Sequence, residues 1–347
     1  MRRSLLFLLV AVVLALPVTA NAVASEVKPP ILGLGYEYDL GGGREEFLLP
    51  DPLSDASIVP DHPLYVRIRA PWSMLEPQAG TYDWSEVDRI VDPYRAANFV
   101  VTLCLYGTNP AIDPAGTPPS PANSVVLKAW LEFNRAAAFH FKGRVRYYEV
   151  WDEPNREAAW SASRVSDFAY VLKNSSVTIR SADPDALIAE GGLAIDATSL
   201  EADLAWQEAL YGQEVATYVD VLPIHPAADL PLARALSRSY DVLLAHDPSA
   251  QIWINKVPAR GETDRDRAAD LLAKFITGQG EGAAVVTFDL EADVEGGPEF
   301  PGVLLDIHKL FIPTYSRVPG SVVRFEPLDE EAHGTVTGIT AYQFFDA

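Results

Sequence analysis

Short runs rich in β-branched and apolar residues alternate, eight times over, with longer segments of helical periodicity. The strand-like runs are Ile31–Tyr36, Leu64–Ile68, Val100–Leu105, Val145–Val150, Leu187–Ala189, Val219–Ile224, Gln251–Ile254 and Ala284–Phe288. Helical candidates follow at Ser85–Asn98, Ser124–Phe141, Ser163–Ser181, Ser199–Tyr211, Leu230–His246, Thr263–Gly278 and Val303–Phe311. In Ser85–Asn98 a Ser cap and Glu86 precede Val87, Ile90, Val91 and Tyr94, spaced to share one helix face. Eight strands in about 280 residues have the rhythm and size of a closed (β/α)₈ TIM barrel. The rival, a doubly wound open sheet, calls for a glycine-rich turn directly after its first strand. Gly41-Gly42-Gly43 comes too late for that.

The flanks read differently. Residues 1–22 have the form of an export signal: Arg2 and Arg3, an apolar stretch from Leu5 to Leu16, then Ala20-Asn21-Ala22 as a small-x-small cleavage site. The expectation is a secreted or periplasmic protein with its barrel in residues 23–313. Beyond it, Ser321–Phe325 and Thr335–Phe345 read as β-structure, so 314–347 is expected to be a β-rich extension from an incomplete subdomain. With 27 basic and 48 acidic residues and a net charge of -21, the chain repels nucleic acid and anionic membrane surfaces. The expected partner set is therefore a carbohydrate, with no nucleic acid and no membrane once the signal is removed. The oligomeric state is left open. Cys104, the single cysteine, lies mid-strand without a nearby His and reads as buried packing.

In a barrel of this kind reactive groups gather at the carboxyl ends of the strands. Those ends supply Arg67, Arg69 and Trp72 (second strand), Glu149 to Asn155 (fourth), His225 (sixth), Asn255 and Lys256 (seventh) and Asp289 and Glu291 (eighth). Trp151-Asp152-Glu153-Pro154-Asn155 resembles the Trp-Asn-Glu-Pro-Asn signature of clan A glycoside hydrolases, the retaining cellulase, mannanase and β-xylosidase barrels. Val66-Arg67-Ile68-Arg69-Ala70-Pro71-Trp72, with Glu76-Pro77, Gly80 and Tyr82-Asp83-Trp84, is similar to their second-strand region. Ile224-His225-Pro226 resembles their sixth strand end. The likeness spans about residues 31–315. It implies Glu153 as general acid/base, Arg67 as support for the nucleophile, and Trp72, Trp151 and Trp160 as platforms for sugar rings. Asn155, His225, Asp289 and Asp152 complete the substrate-binding set, with no cofactor and no metal.

Two positions depart from the family pattern. Asp152 stands where the family has an Asn that donates to a sugar hydroxyl; an ionised Asp only accepts, and its charge beside Glu153 is expected to raise one of the two pKa values. Ile252-Trp253-Ile254-Asn255-Lys256 resembles the phrase ending in the nucleophilic Glu, but its last residue is lysine. Lysine forms no glycosyl ester, and its charge holds Glu153 ionised. Three readings follow: a barrel that keeps the sugar cleft with hydrolysis impaired or lost, as a binding or scaffolding module; a hydrolase in which Glu190 or Asp289 activates water for inversion; or another use of the barrel altogether. Minor motifs take bland readings. Asp289, Glu291, Asp293 and Glu295 read as a solvated loop rather than a calcium site, and the six histidines show no zinc spacing.

Overall fold

The computed structural model describes residues 34–40, 65–246, 250–261 and 263–288. The expected export signal, the helix at Val303–Phe311, Asp289 and the extension at 314–347 lie outside the described residues. Among the described residues nine parallel strands occur in the order β1 (Leu34–Asp39), β2 (Tyr65–Pro71), β3 (Val100–Tyr106), β4 (Tyr147–Val150), β5 (Leu187–Ala189), β6 (Leu193–Ile195), β7 (Val221–Pro226), β8 (Gln251–Val257) and β9 (Val285–Phe288). Neighbours across the sheet run β5-β4-β3-β2-β1-β9-β8-β7-β6. A further pairing, Ala189 with Val221, joins β5 to β7 and closes the ring. The architecture is the α/β barrel that the alternation predicts.

One strand is additional to those expected. After β5, whose bounds match the expected Leu187–Ala189, the chain runs through Glu190-Gly191-Gly192, where Gly192 has φ +71°, and resumes as β6, which pairs only with the upper part of β7. β5 closes the ring and β6 lines its rim.

Strand side chains alternate between two cores, as period-2 geometry requires. Val66, Ile68, Val101, Leu103, Tyr148, Val150, Ile188, Leu222, Ile224, Ile252 and Val286 point outward into the layer shared with the helices. Tyr65, Ala189, Val221, Trp253 and Val285 point inward and form an apolar floor. There the Trp253 ring meets Tyr65 at 5.2 Å and Tyr147 at 4.5 Å between centroids. One pleat higher, the inward positions are Arg67, Thr102, Glu149, Asn255 and Thr287, all buried. The interior turns from apolar to charged along its axis.

Among the described residues six longer helices cover the barrel: α2 (Ser85–Ala96), α3 (Ser124–His140), α4 (Val165–Ala182), α5 (Leu200–Tyr211), α6 (Leu232–Ala245) and α7 (Asp264–Gly280), with a single turn α1 (Trp72–Leu75) after β2. α2 buries Val87, Ile90, Val91 and Tyr94, the face its spacing predicts. The Asn123 side chain accepts from the Val126 N–H and caps α3. No helix among the described residues is long and apolar enough to cross a membrane.

Candidate active site

The charged upper layer is built around Arg67. Its Nε donates to Glu149 Oε2 at 2.6 Å, and its Nη2 reaches Glu149 Oε1 at 3.0 Å and Asp152 Oδ1 at 2.6 Å. Side-chain exposures of 1% and 0% for Arg67 and Glu149 make this pair fully buried. Arg69, two residues along the strand, binds the other oxygen of Asp152 at 2.9 Å and lies over the Tyr106 ring at 4.6 Å. Asp152 is thus gripped between two guanidinium groups. Cys104 Sγ sits against Arg67 and the Trp151 carbonyl, each at 3.3 Å, so the thiol is buried as expected but among charges; burial pushes its pKa up.

Aiming two consecutive acids into the mouth requires an irregular backbone. Trp151 and Glu153 both adopt left-handed conformations, φ 75° and 55°. Such strain at non-glycine residues persists only where surrounding contacts hold it. Here the Trp151 N–H donates to Leu105 O, the Glu153 N–H donates to Gly191 O at 2.6 Å, and Pro154 opens a 3₁₀ turn.

Glu153 then meets two cationic groups. His225 Nδ1 lies 3.2 Å from Glu153 Oε1, and its Nε2 faces Glu149 at 3.6 Å. Lys256 Nζ reaches the same Glu153 oxygen at 3.1 Å and Asp152 at 3.9 Å. This pair is the open part of the network, with side chains 20% and 31% exposed for Lys256 and Glu153. Gly192 makes room for the imidazole: a Cβ there would stand 2.3 Å from the His225 ring.

The charges decide the protonation states. Burial pushes the Glu153 carboxyl up, but the hydrogen bond and charge of His225, followed by Lys256, outweigh both burial and Asp152 and hold it at about 2. Asp152 is likewise opposed by burial, yet Arg67, His225, Lys256 and Arg69 keep it well below the ordinary carboxylate range. Glu149 is lowered too, because Arg67 and His225 overcome its burial. Burial pulls His225 down, whereas Glu149 and Glu153 pull harder and raise it. The expectation that Asp152 and Glu153 would push one of their own pKa values up is therefore corrected: the surrounding cations outweigh their mutual repulsion.

Four of the expected sugar contacts are built into the scaffold. Trp72 is fully buried, donates its indole N–H to Glu76 Oε2 at 2.6 Å, and packs on Trp130 and Phe133. Trp151 is buried between Trp130 and Trp160, leaving no face for a sugar, and Trp160 is equally buried. Asn155 spends its amide on Ala194: Nδ2 donates to Ala194 O at 2.8 Å and to Asp203 at 3.1 Å, while Oδ1 accepts from Ala194 N–H. It ties the loop after β4 to β6. Glu190, one of the two carboxylates considered for activating water, is buried, with Tyr211 of α5 and the Glu149 carboxylate as its electrostatic neighbours. Burial raises its carboxyl to about 8.

Arg69 and Glu149, named at strand ends but given no role, join the site, and so does Cys104, expected only as packing. Alternation along β2, β3 and β4 is the signal that identifies them. Two groups bring potential metal donors within 4.8 Å of one another: Asp152, Glu153 and His225, and Cys104, Glu149 and Asp152. Their oxygens already accept from Arg67, Arg69, His225 and Lys256, so a metal would have to displace a built ion pair, and the donor set does not fit one.

No family model and no curated protein matches the chain. Among solved structures, an endo-β-1,4-mannanase from Thermotoga petrophila superimposes with a TM-score of 0.59 at 11% identity, over 82% of this chain and 77% of its own. A family 39 glycoside hydrolase from Bacteroides cellulosilyticus gives 0.57 at 16% identity, over 76% and 56%. A family 39 β-xylosidase from Caulobacter crescentus gives 0.54 at 18%, over 74% and 62%. The chain spans less than two thirds of the length of these two family 39 proteins. At such identities the likeness establishes the fold.

Proposed function

We propose that the chain is an exported, carbohydrate-directed barrel of the glycoside hydrolase type whose mouth binds sugar while double-displacement hydrolysis is suppressed. The Glu153–Lys256 ion pair carries this reading. Retaining hydrolysis needs a protonated acid and, about 5–5.5 Å away, a free carboxylate to attack the anomeric carbon. Across from Glu153 stands an ammonium group at 3.1 Å. Glu153, held at about 2 by His225 and Lys256, is ionised in the ligand-free mouth at neutral pH. Asp152, the carboxylate next to it, is engaged by both arginines and does not serve as the missing nucleophile. Glu153, Lys256 and Arg69 do present acceptors and donors suited to sugar hydroxyls. The fold neighbours act on xylosides and mannan by name, which favours a β-linked oligo- or polysaccharide as ligand. Export rests on residues 1–22 and is checked by fractionating cells that express the whole chain.

The test pairs turnover with binding. Wild type and Glu153→Gln are incubated at pH 7 with a panel of aryl β-glycosides, and titrated calorimetrically with xylo-, manno- and cello-oligosaccharides. Expected are equal, negligible rates for both proteins and binding of at least one oligosaccharide that Glu153→Gln weakens. Turnover that the variant loses would overturn the suppressed-hydrolysis reading. Calorimetric silence with every sugar would overturn the carbohydrate reading.

A further inference from the structure

β8 breaks its own alternation just where it delivers Lys256. Trp253 points inward and Ile254 outward; strict pleating would then send Asn255 inward and Lys256 outward into the apolar helix layer. Instead β8 holds one more residue than β9 between the pairs Ile254–Val286 and Val257–Phe288. Lys256 occupies this bulge with φ 56°. Asn255 and Lys256 consequently both face the interior, the first accepting from Thr287 Oγ1 at 3.2 Å and the second reaching Glu153, and Val257 returns to the outer layer. Bulges near active sites re-aim side chains, and a left-handed β8 residue with a long side chain is strained. Here the strain places a primary amine in the mouth, 3.1 Å from a carboxylate able to take and return its proton.

We propose that Lys256 condenses reversibly with the carbonyl of an open-chain aldose, forming an imine, with Glu153 moving the protons. The substrate class rests on the carbohydrate reading above. Lys256 passes one ammonium proton to Glu153. The freed nitrogen lone pair forms the C–N bond to the aldehyde carbon as the carbonyl π pair moves onto oxygen. A second proton shifts from nitrogen to that oxygen, giving the carbinolamine. Glu153 then protonates the hydroxyl, the C–O bond breaks, water leaves, and the nitrogen lone pair closes the C=N bond. Glu153 ends ionised, and the iminium carries the positive charge the ammonium carried, so the surrounding ion pairs stay balanced. Binding itself promotes the first step. A ligand that excludes water removes the hydration of the Lys256–Glu153 ion pair, which favours the neutral amine and acid. Arg67 and Arg69 keep Asp152 satisfied, so the proton has a defined acceptor in Glu153.

The test uses the full chain, glycolaldehyde as the probe and cyanoborohydride to reduce any imine, with peptide mapping of modified lysines over time. Lys128 and Lys142 are exposed and act as internal references in the same molecule. Despite its lower exposure, Lys256 is expected to be alkylated at least tenfold faster than either. In Glu153→Gln that rate is expected to fall tenfold or more while the Lys128 and Lys142 rates stay unchanged, which also reports that the variant is folded. A Lys256 rate at or below the reference rates overturns the proposal; so does a fast Lys256 rate that survives Glu153→Gln. Glycolaldehyde needs no sugar subsite, so failure here is separable from calorimetric failure with oligosaccharides.

Discussion

Glu190→Gln should stabilise the protein, and the gain should depend on pH in a defined way. Glu190 is buried with no cation beside it, its Oε2 lacks a hydrogen-bond partner, and burial raises its carboxyl from 4.5 to about 8. The sign follows from linkage. Below the unfolded value both states are protonated and the group is neutral to stability; as pH rises, only the unfolded chain ionises, and stability drains away until the folded value is passed. At about 1.4 kcal/mol per unit, the cost approaches about 5 kcal/mol above pH 8 and about 3 kcal/mol at pH 7. Glutamine keeps the shape but brings a carboxamide that the Tyr211 hydroxyl satisfies only in part, an offset of about 1–2 kcal/mol. The expected outcome is a loss of about 1 kcal/mol at pH 4.5, a gain of about 2 kcal/mol at pH 7 and of about 3 kcal/mol at pH 8.5. Urea unfolding followed by tryptophan fluorescence at the three pH values measures it. A difference that is flat with pH would refute the reasoning.

Other perturbations test the charged layer. Arg67→Met leaves Glu149 and Asp152 buried without their main partner, and should cost about 3–5 kcal/mol in urea unfolding; a loss under about 1 kcal/mol would show the network to be dispensable. Gly192→Ala places a Cβ 2.3 Å from His225 at φ +71°, so the melting temperature should drop and the imidazole nitrogen shifts should change together; an unchanged imidazole spectrum in a folded variant contradicts the packing. Lys256→Glu removes a cation and adds a carboxylate opposite Glu153, so Glu153 should rise from about 2 and slow aryl β-glycoside hydrolysis should appear, with an acid optimum. No turnover in a folded variant would mean that more than the nucleophile separates this mouth from a hydrolase. Glu149, Asp152 and Glu153 are all lowered, so their stabilisation is complete above about pH 4.5 and is lost as pH falls toward 2. Acid unfolding monitored by circular dichroism should therefore begin at higher pH in Lys256→Met than in wild type.

Barrel architecture was legible because each strand is a short run rich in β-branched and apolar residues, and the helix between carries its own period. The extra strand Leu193–Ile195 was not, since three residues after Glu190-Gly191-Gly192 read as loop until they pair with the end of β7. Glu153, Arg67, His225 and Lys256 were placed at one mouth correctly by their positions at strand ends. Glu149 and Arg69 were named at strand ends without a role, because their importance lies in a partner on another strand, and only the register between β2, β3 and β4 shows which side chains meet. The tryptophans mislead for a related reason. A large aromatic at a strand end serves equally as sugar platform or as packing against α3 and α4, and composition does not distinguish a solvent-facing indole from one enclosed by Trp130, Phe133 and Phe168.

Exposure grades the ion pairs of this mouth, and that grading tells which of them a ligand exchanges. Arg67–Glu149 is sealed, and breaking it strands a charge away from water at a cost of several kcal/mol. Asp152 is nearly as enclosed and has two guanidinium partners. Glu153–Lys256, at the top of the stack, is reached by solvent, and a pair so placed contributes only about 0–1 kcal/mol. Sugar hydroxyls entering from above therefore compete with the weakest link and leave the rest intact. The deeper pairs fix where the two side chains stand, and the shallow pair is free to trade its partner for a hydroxyl or, by the imine route, its proton for a carbon.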